Sequence, residues 1–219
     1  MDIEQIRSYL QDSDPQKRMT AVRELRHYDA EVAVPLLIGK KNDSEFLVRS
    51  FVAMGLGKKQ SAESFACLLE TIKCDRDPNV RAEAANSLSY YGEVAVSHLR
   101  LMFEQDDNWL VRNSILAAMA KLNCPQELLE VALLGLEGED YSVRETAIGC
   151  LGILCDGEYQ TIAMEKLLSL IENSAWRIRL RATQSLAQFD DPTAKKALRA
   201  LKQDPDHRVV AAALNGLME

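Results

Sequence analysis

Apolar residues recur along this chain at intervals of three and four, the spacing that gathers them on one face of an α-helix. Ile3, Ile6 and Leu10 start the pattern, Val22 and Leu25 continue it, and Phe65, Leu68, Leu69 and Ile72 show it again further on. No strand-like alternation and no glycine-rich phosphate loop interrupts it. Its breaks fall at acidic residues, prolines and glycines, which cap and stop helices. The breaks predict seven helix pairs. The first is about 2–11 followed by a helix capped at Asp14, with Pro15 at its first position. The others are about 30–41 and 45–58, 61–74 and 78–91, 93–105 and 108–122, 125–137 and 141–154, 158–172 and 175–189, and 192–203 and 206–218. Pro35 is expected in or near a first turn, where its missing N–H is tolerated. Gly92 reads as a helix stop. Gly55 and Gly57 either weaken a helix end or let a neighbouring backbone approach.

The second helix of each pair opens on one phrase, clearest at Asp77-Pro78-Asn79-Val80-Arg81 with Ala84 and Leu88 beyond it. Its arginine returns at Arg18, Arg49, Arg81, Arg112, Arg144 and Arg179, and Val210 takes its place last, at spacings of 31, 32, 31, 32, 35 and 31 residues. A fixed period of this length is the mark of a repeat array. One unit has too little core to fold alone, so stacking must bury its apolar face. Small residues at Ala21, Ala84, Ala147, Ala182 and Ala213 admit close helix approach, and Leu25, Leu56, Leu88, Leu151, Leu186 and Leu217 fill the layers between. Ile115 and Met119 take these roles in the fourth copy. The predicted fold is all-α, one continuous α-solenoid over residues 1–219.

The phrase Asp-Pro-x-Val-Arg-x-x-Ala-x-x-x-Leu resembles HEAT repeats, in particular the short HEAT-like repeats of phycobilisome lyases and their relatives. The resemblance implies a right-handed superhelix with the second helices on its concave side. It also implies an Asp–Arg ladder between repeats, carried here by Asp14–Arg18, Asp77–Arg81 and Asp140–Arg144, and incomplete where the acid departs from that register. The size is most like the non-bleaching B type of phycobilisome degradation protein. This implies a factor that binds a phycobiliprotein in antenna degradation or remodelling. Bilin lyase subunits of the E/F type are the enzymatic alternative, with a bilin as ligand, and a generic HEAT adaptor is the third.

Charge narrows the partners. The net charge is −7, yet residues 93–172 carry 14 acidic and 5 basic side chains while 173–219 carry 8 basic and 5 acidic. An acidic middle repels a phosphate backbone, so a protein partner is expected and nucleic acid is not. No apolar run reaches the roughly 20 residues that span a bilayer. Five cysteines inside helical patterns read as small buried hydrophobes in a reducing cytoplasm. Neither their spacing nor that of His27, His98 and His207 suggests a metal site. Of the thiols, Cys74, beside Lys73 and Arg76 at a helix end, is the one best placed to react.

Phe46, Trp109, Tyr141 and Trp176 share one offset, three residues before the arginine. They read either as hydrophobic staples or as a row of aromatic anchors for a partner. Concave positions follow at one, two, five and nine residues after the arginine, among them Phe51, Met54, Glu83, Asn86, Tyr90, Glu145, Arg181 and Gln184. The expected partner-binding residues are Phe51, Glu83, Tyr90, Trp109, Tyr141 and Trp176. An open end bearing Val209, Val210, Leu214 and Leu217 is a candidate homodimer face.

Overall fold

The computed structural model describes residues 1–218. Among them are fourteen α-helices, two 3-10 segments and no strand. The chain forms two compact units, Met1–Asn123 and Cys124–Glu219. The first holds α1 (Ile3–Leu10), α2 (Pro15–Glu24), α3 (Ala30–Ile38), α4 (Phe46–Lys59), α5 (Ala62–Cys74), α6 (Pro78–Leu88), α7 (Val96–Gln105) and α8 (Trp109–Met119). The second holds α9 (Pro125–Glu137), α10 (Tyr141–Ile153), α11 (Gln160–Leu170), α12 (Trp176–Leu186), α13 (Pro192–Leu201) and α14 (His207–Asn215). Odd- and even-numbered helices are the first and second members of the seven pairs. Within each unit the even helices stack on one another, α2 to α8 in the first and α10 to α14 in the second, more closely than the odd ones.

The sequence sets the helix starts chemically. Side-chain oxygens of Asp14, Asp77, Asp140 and Asp206 accept from the backbone N–H two residues on, at 2.8–3.0 Å. Such a cap is worth about 1 kcal/mol. Pro15, Pro78, Pro125 and Pro192 occupy first or second positions, where no hydrogen bond is lost. Pro35 is different. It lies well inside α3 rather than near its start, and a proline there removes one intrahelical bond from an already short helix. The third pair also ends early. Helix α6 stops at Leu88, and a 3-10 segment, Ser89–Ala95, follows it, turning at Gly92 with φ +69°. Tyr91 anchors that segment: its hydroxyl donates to the Leu56 carbonyl at 3.1 Å and its ring lies 5.1 Å from Phe65.

The repeat columns are the core. Leu25, Leu56, Leu88, Met119, Leu151 and Leu186 are fully buried, as are Ala21, Ala84, Ile115, Ala147, Ala182 and Ala213. A second column of small residues, near the C-terminal ends of the even helices, sets how closely they approach. A Cβ on Gly57 would stand 2.7 Å from the Ser87 Cβ, one on Gly152 2.9 Å from the Ser185 Oγ, and one on Gly216 2.5 Å from the Ala187 Cβ. Of the two readings offered for Gly57, close approach is the one realised.

The arginine column does make a ladder, but with a different acid from the one expected. Asp14, Asp77 and Asp140 are helix caps. The ladder acid lies two residues before the cap, in the loop of the following repeat. Nε and Nη2 of Arg18 reach Asp43 at 2.8 Å each, and those of Arg49 reach Asp75 at 2.7 and 2.9 Å. Arg81 reaches Asp106 at 2.6 and 3.2 Å, and Arg179 reaches Asp204 at 2.7 and 2.8 Å. In each, Nη1 also donates to a carbonyl of its own loop. The bidentate fork ties two repeats together with little geometric freedom. Six residues before Arg144 the acid is replaced by Gly138, and six before Arg179 by Asn173. Accordingly Arg144, expected to sit in the ladder, has a buried Nε with no hydrogen-bond partner, and its guanidinium lies 5.8 Å from the Tyr141 ring centre. Arg49 and Arg179, expected where the ladder fails, are in it.

Candidate partner-binding surfaces

In the first unit, α2 and α4 enclose a recess of about 210 Å³. Phe51, Met54 and Gly55 of α4 line it with Val22 of α2 and Leu37 of α3, and Arg23, Arg26, Lys58 and Lys59 ring it. Gly55 keeps it open, since a Cβ there would stand 3.1 Å from the Leu37 methyls. Lys59 donates to the carbonyls of Arg26 (3.1 Å) and Tyr28, which fixes it against the end of the 3-10 segment Leu25–His27. Glu83 of α6 is half-buried. Burial pushes its carboxyl above the ordinary range, and the nearby Lys58 works against that shift.

In the second unit, two recesses between α10 and α12, about 400 and 450 Å³, share Arg181 and Gln184. Glu145, Thr146 and Trp176 complete one, and Ile153, Cys155 and Gln188 the other. Arg181 lies across Gly149, in space that any side chain at that position would take, and its Nε donates to the Glu145 carbonyl at 3.3 Å. Both surfaces mix polar with large apolar groups, which suits protein contact.

The expected partner-binding residues divide between the two units, Phe51, Glu83, Tyr90 and Trp109 in the first and Tyr141 and Trp176 in the second. Phe51 lines the recess and Glu83 lies near its Lys58. Tyr90 is 55% exposed on the 3-10 segment after α6, and Trp109 is 49% exposed at the start of α8. Tyr141 is 53% exposed at the start of α10. Trp176 lines the second unit's groove, but one face is covered: the Arg208 guanidinium lies 3.2 Å from its ring centre and Arg177 5.5 Å. Such stacking is favourable, so the face that Arg208 covers is closed to a partner. Arg23, Arg26, Lys58 and Lys59 were not among the expected residues. The same offsets, five and nine after the arginine, would have found Arg23 and Lys58 had they been applied to the first two copies.

The candidate dimer face changes too. Val209 is fully buried against Leu201 and Ala213, with Ile171 and Leu180 packed on them, so it belongs to the core, while Leu214 is exposed. Cys67, Cys124 and Cys150 are buried; Cys155 is partly open and Cys74 exposed. Burial raises all three buried thiols, Cys124 to about 11 and Cys150 to about 12, which makes them poor nucleophiles. Among the described residues no three His, Cys, Asp or Glu converge as a metal site would need, and no helix is long and apolar enough to cross a membrane.

Stacked helix pairs, a repeating arginine ladder and grooves between second helices define an α-solenoid repeat protein. The chain belongs to the HEAT-repeat family, whose model, described as HEAT repeats, matches residues 39–120 and 125–218. Comparison with curated proteins gives no match. Among solved structures it is similar to YibA of E. coli, with 16% identity and a TM-score of 0.65 over 100% of this chain and 93% of that one. It is also similar to the complex of CpcE and CpcF of phycocyanin lyase from Nostoc, with 20% identity and a TM-score of 0.56 over 100% of this chain and 87% of that one. At these identities the likeness is one of fold.

Proposed function

We propose that this chain is a non-catalytic scaffold that holds a protein partner on the exposed face of its even-numbered helices. The observation that carries the reading is the make-up of that face. Each unit presents an open groove between consecutive even helices, lined by large apolar side chains set among charged and amide groups. This is the composition of a protein-binding surface. Chemistry would call instead for convergent titratable groups tuned against one another. Glu83 and the buried thiols, whose ionisation is shifted, share no recess.

The fold hosts many activities, so the partner must be argued separately. The repeat phrase and the likeness to CpcE and CpcF favour a phycobiliprotein, which the chain would bind in degrading or remodelling the antenna, in the cytoplasm. A bilin lyase subunit is the second reading, with the bilin as its ligand. One experiment separates them: the purified chain is mixed with free bilin and with intact phycobiliprotein, and visible absorbance and co-elution are followed. Co-elution with unchanged covalent pigment supports the scaffold. A new covalent adduct, or loss of bound pigment, supports the enzyme. Co-elution with neither refutes the pigment reading and leaves a general HEAT scaffold. The open end bearing Leu214 is the proposed homodimer face, tested by the mass of the chain in sedimentation.

A further inference from the structure

The geometry points to the α2–α4 recess as the docking site for an acidic protein segment that inserts one or two large apolar side chains between flanking carboxylates. This rests on the protein-binding reading above and adds the chemistry of the partner. The floor is hydrocarbon: Val22, Leu37, Phe51 and Met54, with Gly55 supplying the opening. The rim carries four cations, Arg23, Arg26, Lys58 and Lys59, on a chain whose net charge is −7. Arg26 donates to His27 and Lys59 to two carbonyls, but Arg23 and Lys58 make no ion pair among the described residues. Two acids interact with the rim without neutralising it: Glu24, near Arg26, pairs with the N-terminal ammonium at 3.2 Å, and Glu83, near Lys58, is half-buried.

Size selects the occupant. Small-molecule sites enclose roughly 300–1,000 Å³. At about 210 Å³ this recess takes anchoring side chains, not a whole cofactor. Cations around an apolar floor then select carboxylates beside the anchor, by attraction and by rejection of basic segments.

The test is fluorescence anisotropy of the whole chain with a labelled peptide, Glu-Glu-Leu-Phe-Glu-Glu-Leu-Phe-Glu-Glu, beside one with lysine for every glutamate. Arg23→Gln with Lys58→Gln is the variant, because neither side chain makes an ion pair among the described residues. Its helical spectrum should match the parent, and its unfolding midpoint should fall only slightly, since Lys58 offsets part of the burial of Glu83. The acidic peptide binds, the lysine peptide does not, and binding weakens as salt rises from about 50 to about 300 mM. The paired variant weakens it about tenfold, as two exposed ion pairs would. Gly55→Leu, which fills the opening, abolishes it. A natural partner still held by the paired variant sinks this site and leaves the scaffold reading standing. Equal binding of both peptides, no effect of the paired variant, or displacement of the peptide by a free bilin would overturn the inference.

Discussion

Replacing Asn173 by aspartate should stabilise the second unit. Asn173 Oδ1 accepts from the Ala175 N–H at 3.0 Å. Asp43, Asp75, Asp106 and Asp204 make the same turn, at 2.8–3.1 Å, before giving their carboxylates to an arginine. The turn of the ladder acids is therefore already made at Asn173, and Arg144, the arginine whose acid Asn173 replaces, keeps a buried Nε unpartnered. A hydrogen bond to a charged group contributes about 1.5–3 kcal/mol, and burying the new carboxylate takes back part of it. The net gain is about 1–2 kcal/mol. Urea unfolding reads it, with Trp176 as reporter in a Trp109→Phe background so that fluorescence follows the second unit. With a urea dependence of about 1–3 kcal/mol per molar, the midpoint should rise by about 0.3–2 M. In an Arg144→Met background the same change should gain nothing. An unchanged or lowered midpoint, or an equal rise without Arg144, would refute the ladder as the clamp between repeats.

Other expectations concern packing, charge and thiols. Gly57→Ala should cost about 1–2 kcal/mol in chemical unfolding, because overpacking of 1–3 kcal/mol outweighs a helix-propensity gain of up to about 1 kcal/mol; adding Ser87→Gly should recover part. At Asp204 the Arg179 hydrogen bonds hold the carboxyl below its usual range; at Asp43 burial opposes ionisation, but Arg18 and the Glu45 N–H outweigh it. Both therefore contribute stability that is complete above the ordinary aspartate value of about 3.9 and lost as pH falls through their lower folded values, so stability measured against pH should drop below about pH 4. Glu83 has the opposite sign: its raised folded value weakens the fold at neutral pH and less so as pH falls. Glu83→Gln should therefore stabilise the protein at pH 7 by under about 1 kcal/mol and flatten stability against pH above the ordinary glutamate value of about 4.3. A thiol reagent on the folded protein should modify Cys74 first and Cys155 next, leaving Cys67, Cys124 and Cys150 until unfolding.

Helix pairing was legible because caps, prolines and apolar periodicity all act within a few residues. The leucine and alanine columns were legible for the same reason, and every pair was located within a few residues of its true ends. The ladder acid was not. Asp75 and Asp77 are both acidic and two apart, and only the position of the preceding repeat's arginine separates a clamp from a cap. The surface was less legible still. Trp176 looked free because Arg208, which covers it, lies 32 residues on, and Val209 looked exposed because its cover, Ile171 and Leu180, comes from the preceding pair. The basic rim was hidden by the net charge, an average that says nothing of where four cations meet.

The central claim, a partner held on the even-helix face, is tested most directly by photo-crosslinking in the native cell. A photoreactive phenylalanine analogue is placed at Met54 or Gln184 on even helices and at Leu101 or Ile162 on odd ones. Met54, Leu101 and Ile162 are exposed to similar degrees, 36%, 45% and 48%, so access alone cannot decide the outcome. Discrete adducts with one protein from Met54 or Gln184, and none from Leu101 or Ile162, are the predicted result. Adducts from the odd-helix positions alone would contradict it.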